Sequence, residues 1–202
     1  MKRGGMIAII VIAVLLLGVG GCLVGNYNRL VAGDQNVKNR WAEVDNQLQR
    51  RNDLIGNLVE SVKGIASQEQ AVFGEIANAR AALGGAHTPE QGIAAGRAMD
   101  SALSRLLVVV ENYPQLRSNE QFTQLMDELA GTENRLAVAR MRYNDEAKGY
   151  NVLVQQFPMN LFANAFGYKP AIYYPVPEAA KTAPKVDFSG IKPNATPAPA
   201  GK

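Results

Sequence analysis

The sequence predicts an all-α protein, an antiparallel helical bundle of three long helices plus a short fourth, carried behind an N-terminal transmembrane helix. Three observations support this class. Met6 to Val24 is an uncharged, proline-free run, about 28 Å long as a helix and so close to the thickness of a bilayer's hydrocarbon core. Beyond it, apolar residues recur every three or four positions over long stretches, a period that no strand gives. Two Ser/Thr-x-x-Gln sequences, at Thr88 and Ser118, read as helix starts.

The anchor occupies residues 1–25. Lys2 and Arg3 form a short basic flank, which the positive-inside rule keeps in the cytoplasm, so the domain is expected on the non-cytoplasmic side of a bacterial membrane. The same run reads as a lipoprotein signal, because Leu17-Gly18-Val19-Gly20-Gly21 places small residues before Cys22. Cleavage there would leave Cys22 free for lipidation. The uncleaved span is preferred, since the run reaches spanning length only by including Leu23 and Val24.

From Leu30 to Leu83 a heptad stripe runs through Val37, Trp41, Val44, Leu48, Ile55, Leu58, Val62, Ile65, Val72, Ile76 and Ala79, with Asp34, Arg51 and Glu69 as its polar members. Its phase is unbroken across Gly56, Gly64 and Gly74, which predicts one helix over about 26–83, roughly 87 Å long, bent at the glycines and not reversed. Gly84-Gly85 ends it. Thr88-Pro89-Glu90-Gln91 opens the next helix with a capping box and proline at its first position. Ile93, Gly96, Leu103, Leu107 and Val110 share its face, and Tyr113-Pro114 stops it. Ser118-Asn119-Glu120-Gln121 starts the third long helix, striped by Phe122, Leu125, Leu129, Leu136, Ala139, Tyr143, Tyr150, Leu153 and Phe157 up to Pro158. A short helix over 161–166 with a Gly167 cap follows. The second helix is about half as long as its neighbours, so the overhanging stripes favour self-association into a homo-oligomer. Residues 169–202 are expected to be an extended, Pro/Ala-rich disordered tail.

Composition excludes several function classes. Net charge is +3, yet residues 25–174 carry 15 basic against 16 acidic side chains. No surplus of cations exists there to neutralise phosphates, so no nucleic-acid partner is expected. A single Cys and a single His, Cys22 and His87, supply neither a disulfide nor a multi-histidine metal site. His87 falls in a predicted surface turn among Gly84, Gly85 and Thr88, with its nearest cysteine inside or beside the membrane, and reads as non-catalytic. No catalytic residue, metal or cofactor is therefore assigned. Trp41, Tyr143 and Tyr150 lie within apolar stripes and read as core. Tyr143-Asn144 and Tyr150-Asn151 repeat at seven residues, two successive heptads meeting the same neighbour. Arg51, at a core position between Val44 and Leu58, requires a buried carboxylate partner, with Glu133 and Glu146 as candidates.

The motifs Tyr27-Asn28-Arg29-Leu30-Val31, Trp41-Ala42-Glu43-Val44-Asp45, Gln49-Arg50-Arg51-Asn52-Asp53-Leu54-Ile55-Gly56-Asn57-Leu58-Val59 and Val62-Lys63-Gly64 occur in order, followed by Ala79-Arg80 and Glu111-Asn112-Tyr113-Pro114. Leu129-Ala130-Gly131-Thr132-Glu133-Asn134-Arg135-Leu136-Ala137-Val138-Ala139-Arg140, Tyr143-Asn144, Tyr150-Asn151 and Phe157-Pro158 complete the series. Read together, they resemble the bacterial LemA family over residues 26–168. Gly56 stands where that family usually has proline, and Ile65 where it usually has tyrosine. The resemblance implies an N-terminally membrane-anchored helical-bundle envelope protein and supplies no catalytic residues. It also specifies polar side chains by type, which makes Arg50, Asp53, Asn57 and Glu60 on the first helix, and Glu133, Asn134, Arg140 and Asn144 on the third, candidates for a partner surface. Arg50 and Arg140 would be its anchors, since a planar guanidinium bridges carboxylates. The expected function is a non-enzymatic envelope scaffold or adaptor that binds other envelope proteins or organises membrane. The alternative is an envelope hydrolase using carboxylates in a bundle cleft.

Overall fold

A computed structural model describes residues 3–175. The described residues are all-helical apart from turns and one extended segment: α1 Arg3–Lys63, α2 Gln70–Gly84, α3 Pro89–Glu111, α4 Pro114–Arg117, α5 Glu120–Gln155 and α6 Met159–Phe166. The antiparallel bundle expected from the sequence is present, and α1 is the long apolar N-terminal helix. Its most apolar stretch has a mean hydropathy of 3.0 and buries nothing against the rest of the molecule. By length and composition it can cross a membrane. The same helix then continues without interruption into the bundle.

The first expected helix is divided in two. The chain leaves the α-helix at Lys63, where Ile65 N–H and Ala66 N–H both donate to the Val62 carbonyl, and resumes at Gln70. It reverses across 64–69, because Arg80 of α2 reaches back to Asn52 of α1 and Leu83 joins the cluster around Leu48. Heptad counting misses this reversal since the seven-residue step from Ile65 to Val72 conceals the turn. The clue was Glu69, the polar stripe member immediately before α2. A hairpin lets Ile76 and Ala79 bury in one cluster with Ile55 of α1, itself fully buried, and with Met99 and Leu106 of α3, whereas a straight rod would leave them in water.

The Thr88 cap forms as expected: its hydroxyl accepts from Gln91 N–H, while Gln91 Oε1 accepts from His87 N–H. At the third long helix the cap is Asn119, one residue later than expected. Its carboxamide accepts from Phe122 N–H, whereas Ser118 closes α4 by donating to the Gln115 carbonyl. Asparagine caps as well as serine, so the backbone turn decides between them.

Helix α1 beyond residue 25 and α5 are both above about 50 Å long, and they pack antiparallel along their length. Gly33 against Tyr150, Trp41 against Tyr143 and Arg51 against Glu133 fix the register. Gly92 admits the close approach of α3 to α1, since a Cβ there would lie 2.7 Å from Trp41 Cζ2. The α2–α3 hairpin covers only the distal part of the pair. The overhang that suggested self-association is covered within the chain: Leu30, Val37, Tyr150 and Val154 are buried with Met159 and Ala163 of α6 and with Tyr174.

Residues 169–175, grouped with the tail in the sequence, form neither helix nor strand and pack on the bundle as a strap, with Tyr174 only 4% exposed. The remainder of the expected disordered tail, 176–202, lies outside the described residues.

Candidate functional site

Three helices converge on Arg51. It is buried at a core position of α1, and its Nη1 lies 2.5 Å from Asp100 Oδ1 of α3 and 2.8 Å from Glu133 Oε2 of α5. Glu133 also faces Arg140 of α5, with Oε1 3.5 Å from Nη1. Two guanidiniums and two carboxylates thus make a neutral junction. The geometry meets the requirement that a buried charge be compensated. Glu133 is the partner expected for Arg51; Glu146 is not. In the antiparallel register Glu146 stands about 20 Å further along α5, beside Asn36, Asn39, Arg40 and Glu43. Asp100 was missed, although a carboxylate four residues after Gly96 and three before Leu103, on the buried face of α3, was a visible signal.

The strap closes this junction. Arg140 stacks over the Tyr174 ring, 4.5 Å from its centroid, and the Tyr174 hydroxyl reaches the gap beside Gly96. Burial pushes that hydroxyl's pKa up, against the opposing pull of Arg140. Two carboxamides of α5 hold the strap's main chain. Asn151 accepts from Ala171 N–H and donates to the Ala171 carbonyl, while Asn144 does the same with Tyr174. Tyr143 Oη donates to the Ile172 carbonyl at 2.8 Å.

The spacing explains the heptad repeat of Tyr-Asn pairs. Seven helical residues rise about 10.5 Å and return to one face. Three extended residues cover roughly 9–10 Å, nearly the same distance. Ala171 and Tyr174 therefore fall opposite Asn151 and Asn144. The shared neighbour of the two heptads is this strap. Burial, reinforced by Glu90, raises the Tyr143 pKa from 10.0 to about 12; burial with Asp34 and Tyr168 raises Tyr150 similarly, to about 12.

The eight partner-surface candidates separate accordingly. Glu133 and Arg140 are members of the junction, and Asn144 holds the strap, so these three brace the fold from inside. Arg50, Asp53, Asn57 and Glu60 are exposed on α1, with Glu60 paired to Lys63 and with Asn57 and Glu60 edging a groove toward Gln124 and Glu128 of α5. Asn134 is exposed and borders a second groove formed by α1 and α5 alone, together with Glu43, Asn46, Gln47, Arg135 and Arg142. Within it, Gln47 Oε1 is buried without a hydrogen-bond partner among the described residues. The strap contacts went unread in the sequence because 169–175 was grouped with the tail. The Ala171-Ile172-Tyr173-Tyr174 run between Pro170 and Pro175 was the available signal.

One apolar helix, long enough to cross a membrane and continuing into an antiparallel bundle braced by a charged junction and a strapped C-terminal segment, defines a helical-bundle protein with a candidate N-terminal membrane segment. The chain belongs to the LemA family, whose model matches residues 40–188. The match extends through the strap and into the tail, beyond the motifs that carry the resemblance in the sequence. Relatives include magnetosome proteins MamQ 1 and MamQ 2 of Paramagnetospirillum magneticum, each 30% identical over 89% of this chain and 76% of the relative. Magnetosome protein MamQ of Magnetospirillum gryphiswaldense is 29% identical over 86% of this chain and 74% of its own length.

Proposed function

We propose that the protein is a non-enzymatic scaffold or adaptor of the bacterial envelope, tethered by α1 and binding a helix of another envelope protein in the α1–α5 groove. The observation that carries this reading is the division of its polar residues. Arg51, Glu133, Arg140, Asn144 and Asn151 are taken up inside the bundle. Glu43, Gln47, Asn134 and Arg142 instead line an open groove between α1 and α5. A partner helix with its own donors and charges fits such a floor. The two carboxylates that converge, Asp100 and Glu133, meet on a guanidinium and not across a cleft. That arrangement favours the scaffold over the hydrolase alternative.

A photocrosslinking amino acid replacing Asn134, introduced into cells and irradiated before membrane extraction, tests the groove. Discrete adducts with an envelope protein are expected, and adducts should be lost when Gln47 and Arg142 are replaced. An unchanged adduct pattern in that variant, or no adduct at all, would remove the groove from consideration.

The domain is placed on the non-cytoplasmic side, on the basis of Lys2 and Arg3 before the uncharged run. Protease added to intact spheroplasts should digest it; full protection reverses the orientation. The uncleaved anchor is favoured by the continuity of α1 through Cys22 into the bundle. If Cys22→Ala abolished fatty-acid labelling and released the protein, the lipoprotein reading would replace it.

A further inference from the structure

The end of the bundle that faces the anchor is free of charge on two antiparallel elements. Residues 4–28 of α1 contain no Asp, Glu, Lys or Arg, and neither do residues 149–168, which comprise the end of α5 and all of α6. The charges that border these stretches are all basic: Lys2, Arg3 and Arg29 for the first, Lys148 and Lys169 for the second. Helix α6 packs against α1 through Met159 and Ala163. Phe162 packs partly against the same cluster, whereas Leu161 is 59% and Phe166 57% exposed, and Phe157 just before α6 is 79% exposed. Phe166 meets Tyr27 edge-on at 5.0 Å, and together with Leu23 and Val24 these rings border an apolar notch at the end of the anchor.

The height of this surface above the bilayer follows from the helix rise. Tyr27 lies three residues beyond Val24, about 4.5 Å along the axis of α1. That is the headgroup–acyl boundary, where aromatic rings concentrate and where an amphipathic helix settles with its apolar face about 5–10 Å deep. Water would leave Phe157, Leu161 and Phe166 solvated at an unfavourable free energy. A bilayer at this height covers them, and its phosphates meet the bordering Arg29 and Lys169, both exposed.

We infer that Phe157 and α6 form a foot that lies in the interface of the same bilayer α1 crosses, so that the bundle is held at two points and its tilt is fixed. The inference rests on α1 spanning the membrane. The occupant of the exposed apolar face is lipid, because the face is continuous with the anchor and the charges that flank its two stretches in the chain are all basic.

Full-length protein reconstituted in phosphatidylcholine/phosphatidylglycerol vesicles tests it. Phe157→Trp, and separately Leu161→Trp, add an indole at the foot, while Trp41 stands about 25 Å beyond the apolar run and serves as the internal reference. Flotation reports the anchor, and quenching by lipids brominated on their upper acyl carbons reports the foot. The expected result is flotation of all proteins, quenching of the added emission in both variants, and no change in the parent protein. Flotation with both added indoles unquenched would overturn the foot and leave the anchor standing. Failure of the parent protein to float would overturn the anchor, and the foot with it. Far-ultraviolet circular dichroism matching the parent establishes that each variant is folded, and Phe157 is exposed enough to accept the exchange without repacking.

Discussion

The carboxamide of Asn151 and the main chain of Ala171 exchange two hydrogen bonds, at 2.6 and 2.8 Å. One side-chain amide thereby takes the place of the neighbouring strand that an extended segment ordinarily pairs with. Asn144 repeats the arrangement on Tyr174, at 2.7 and 2.9 Å. The two residues convert a helix face into an edge for the strap, and the strap covers the core of α1 and α5 where α2 and α3 do not reach.

Replacing Asn151 with Ala should therefore destabilise the protein by about 1–3 kcal/mol, since it leaves Ala171 N–H and its carbonyl without partners. Asn151→Asp is the sharper test. A carboxylate can still accept from Ala171 N–H but cannot donate to the carbonyl, so only part of the stability should be retained. Urea unfolding gives the magnitude, and hydrogen exchange at Ala171 and Tyr174 shows whether the strap is released. Unchanged protection in Asn151→Ala would show that the contacts of Asn144, Tyr143 and Tyr174 hold the strap without Asn151.

Arg51→Met removes the one cation shared by Asp100 and Glu133. Breaking a buried pair typically costs about 3–5 kcal/mol, and here the lower end or somewhat below is expected because the carboxylate side chains keep 38% and 43% of their exposure. Thermal unfolding should show a lowered midpoint. A midpoint equal to or above that of the parent would mean that Met packs well enough to make the charged junction dispensable.

Gly92→Ala and Gly131→Ala should have opposite signs. Both positions are helical, and alanine gains up to roughly 1 kcal/mol over glycine in a helix interior. At Gly131 the new methyl meets open space, so that gain should appear in full. At Gly92 it would fall 2.7 Å from Trp41 Cζ2 and press the indole against Tyr143, whose ring lies 5.4 Å away. Overpacking of this kind costs about 1–3 kcal/mol. Denaturation midpoints together with Trp41 emission separate the two cases.

Alkaline pH should weaken the fold. Tyr143 and Tyr150 are raised from 10.0 to about 12 in the folded protein. Below pH 10 both states hold the protons and the stability is complete. Between 10 and 12 the unfolded chain ionises first, so stability falls as pH rises through this window. Tyr143→Phe should lower stability near neutrality by about 1 kcal/mol, through the lost bond to Ile172, and should flatten the alkaline decline. An equally steep decline in that variant would assign it to other groups.

The helical class, the apolar N-terminal helix and the need for a carboxylate beside Arg51 were all legible in the order of amino acids. Each follows from local or periodic chemistry: an uncharged run long enough to span, a 3.5-residue repeat, and a charge at a core position. Glu133 could be named because it shared the apolar side of its own helix. The reversal at 64–69 came from packing between distant segments, since a heptad count is blind to a turn that preserves phase. Asp100 joined the junction only once α3 had been set against α1 through Gly92 and Gly96. The role of Asn144 was settled the same way: polar and periodic, it fits a partner surface or an internal brace equally well on one helix. What separates these readings is the position of Ala171 and Tyr174, brought back onto α5 by a fold whose long-range contacts no local pattern encodes.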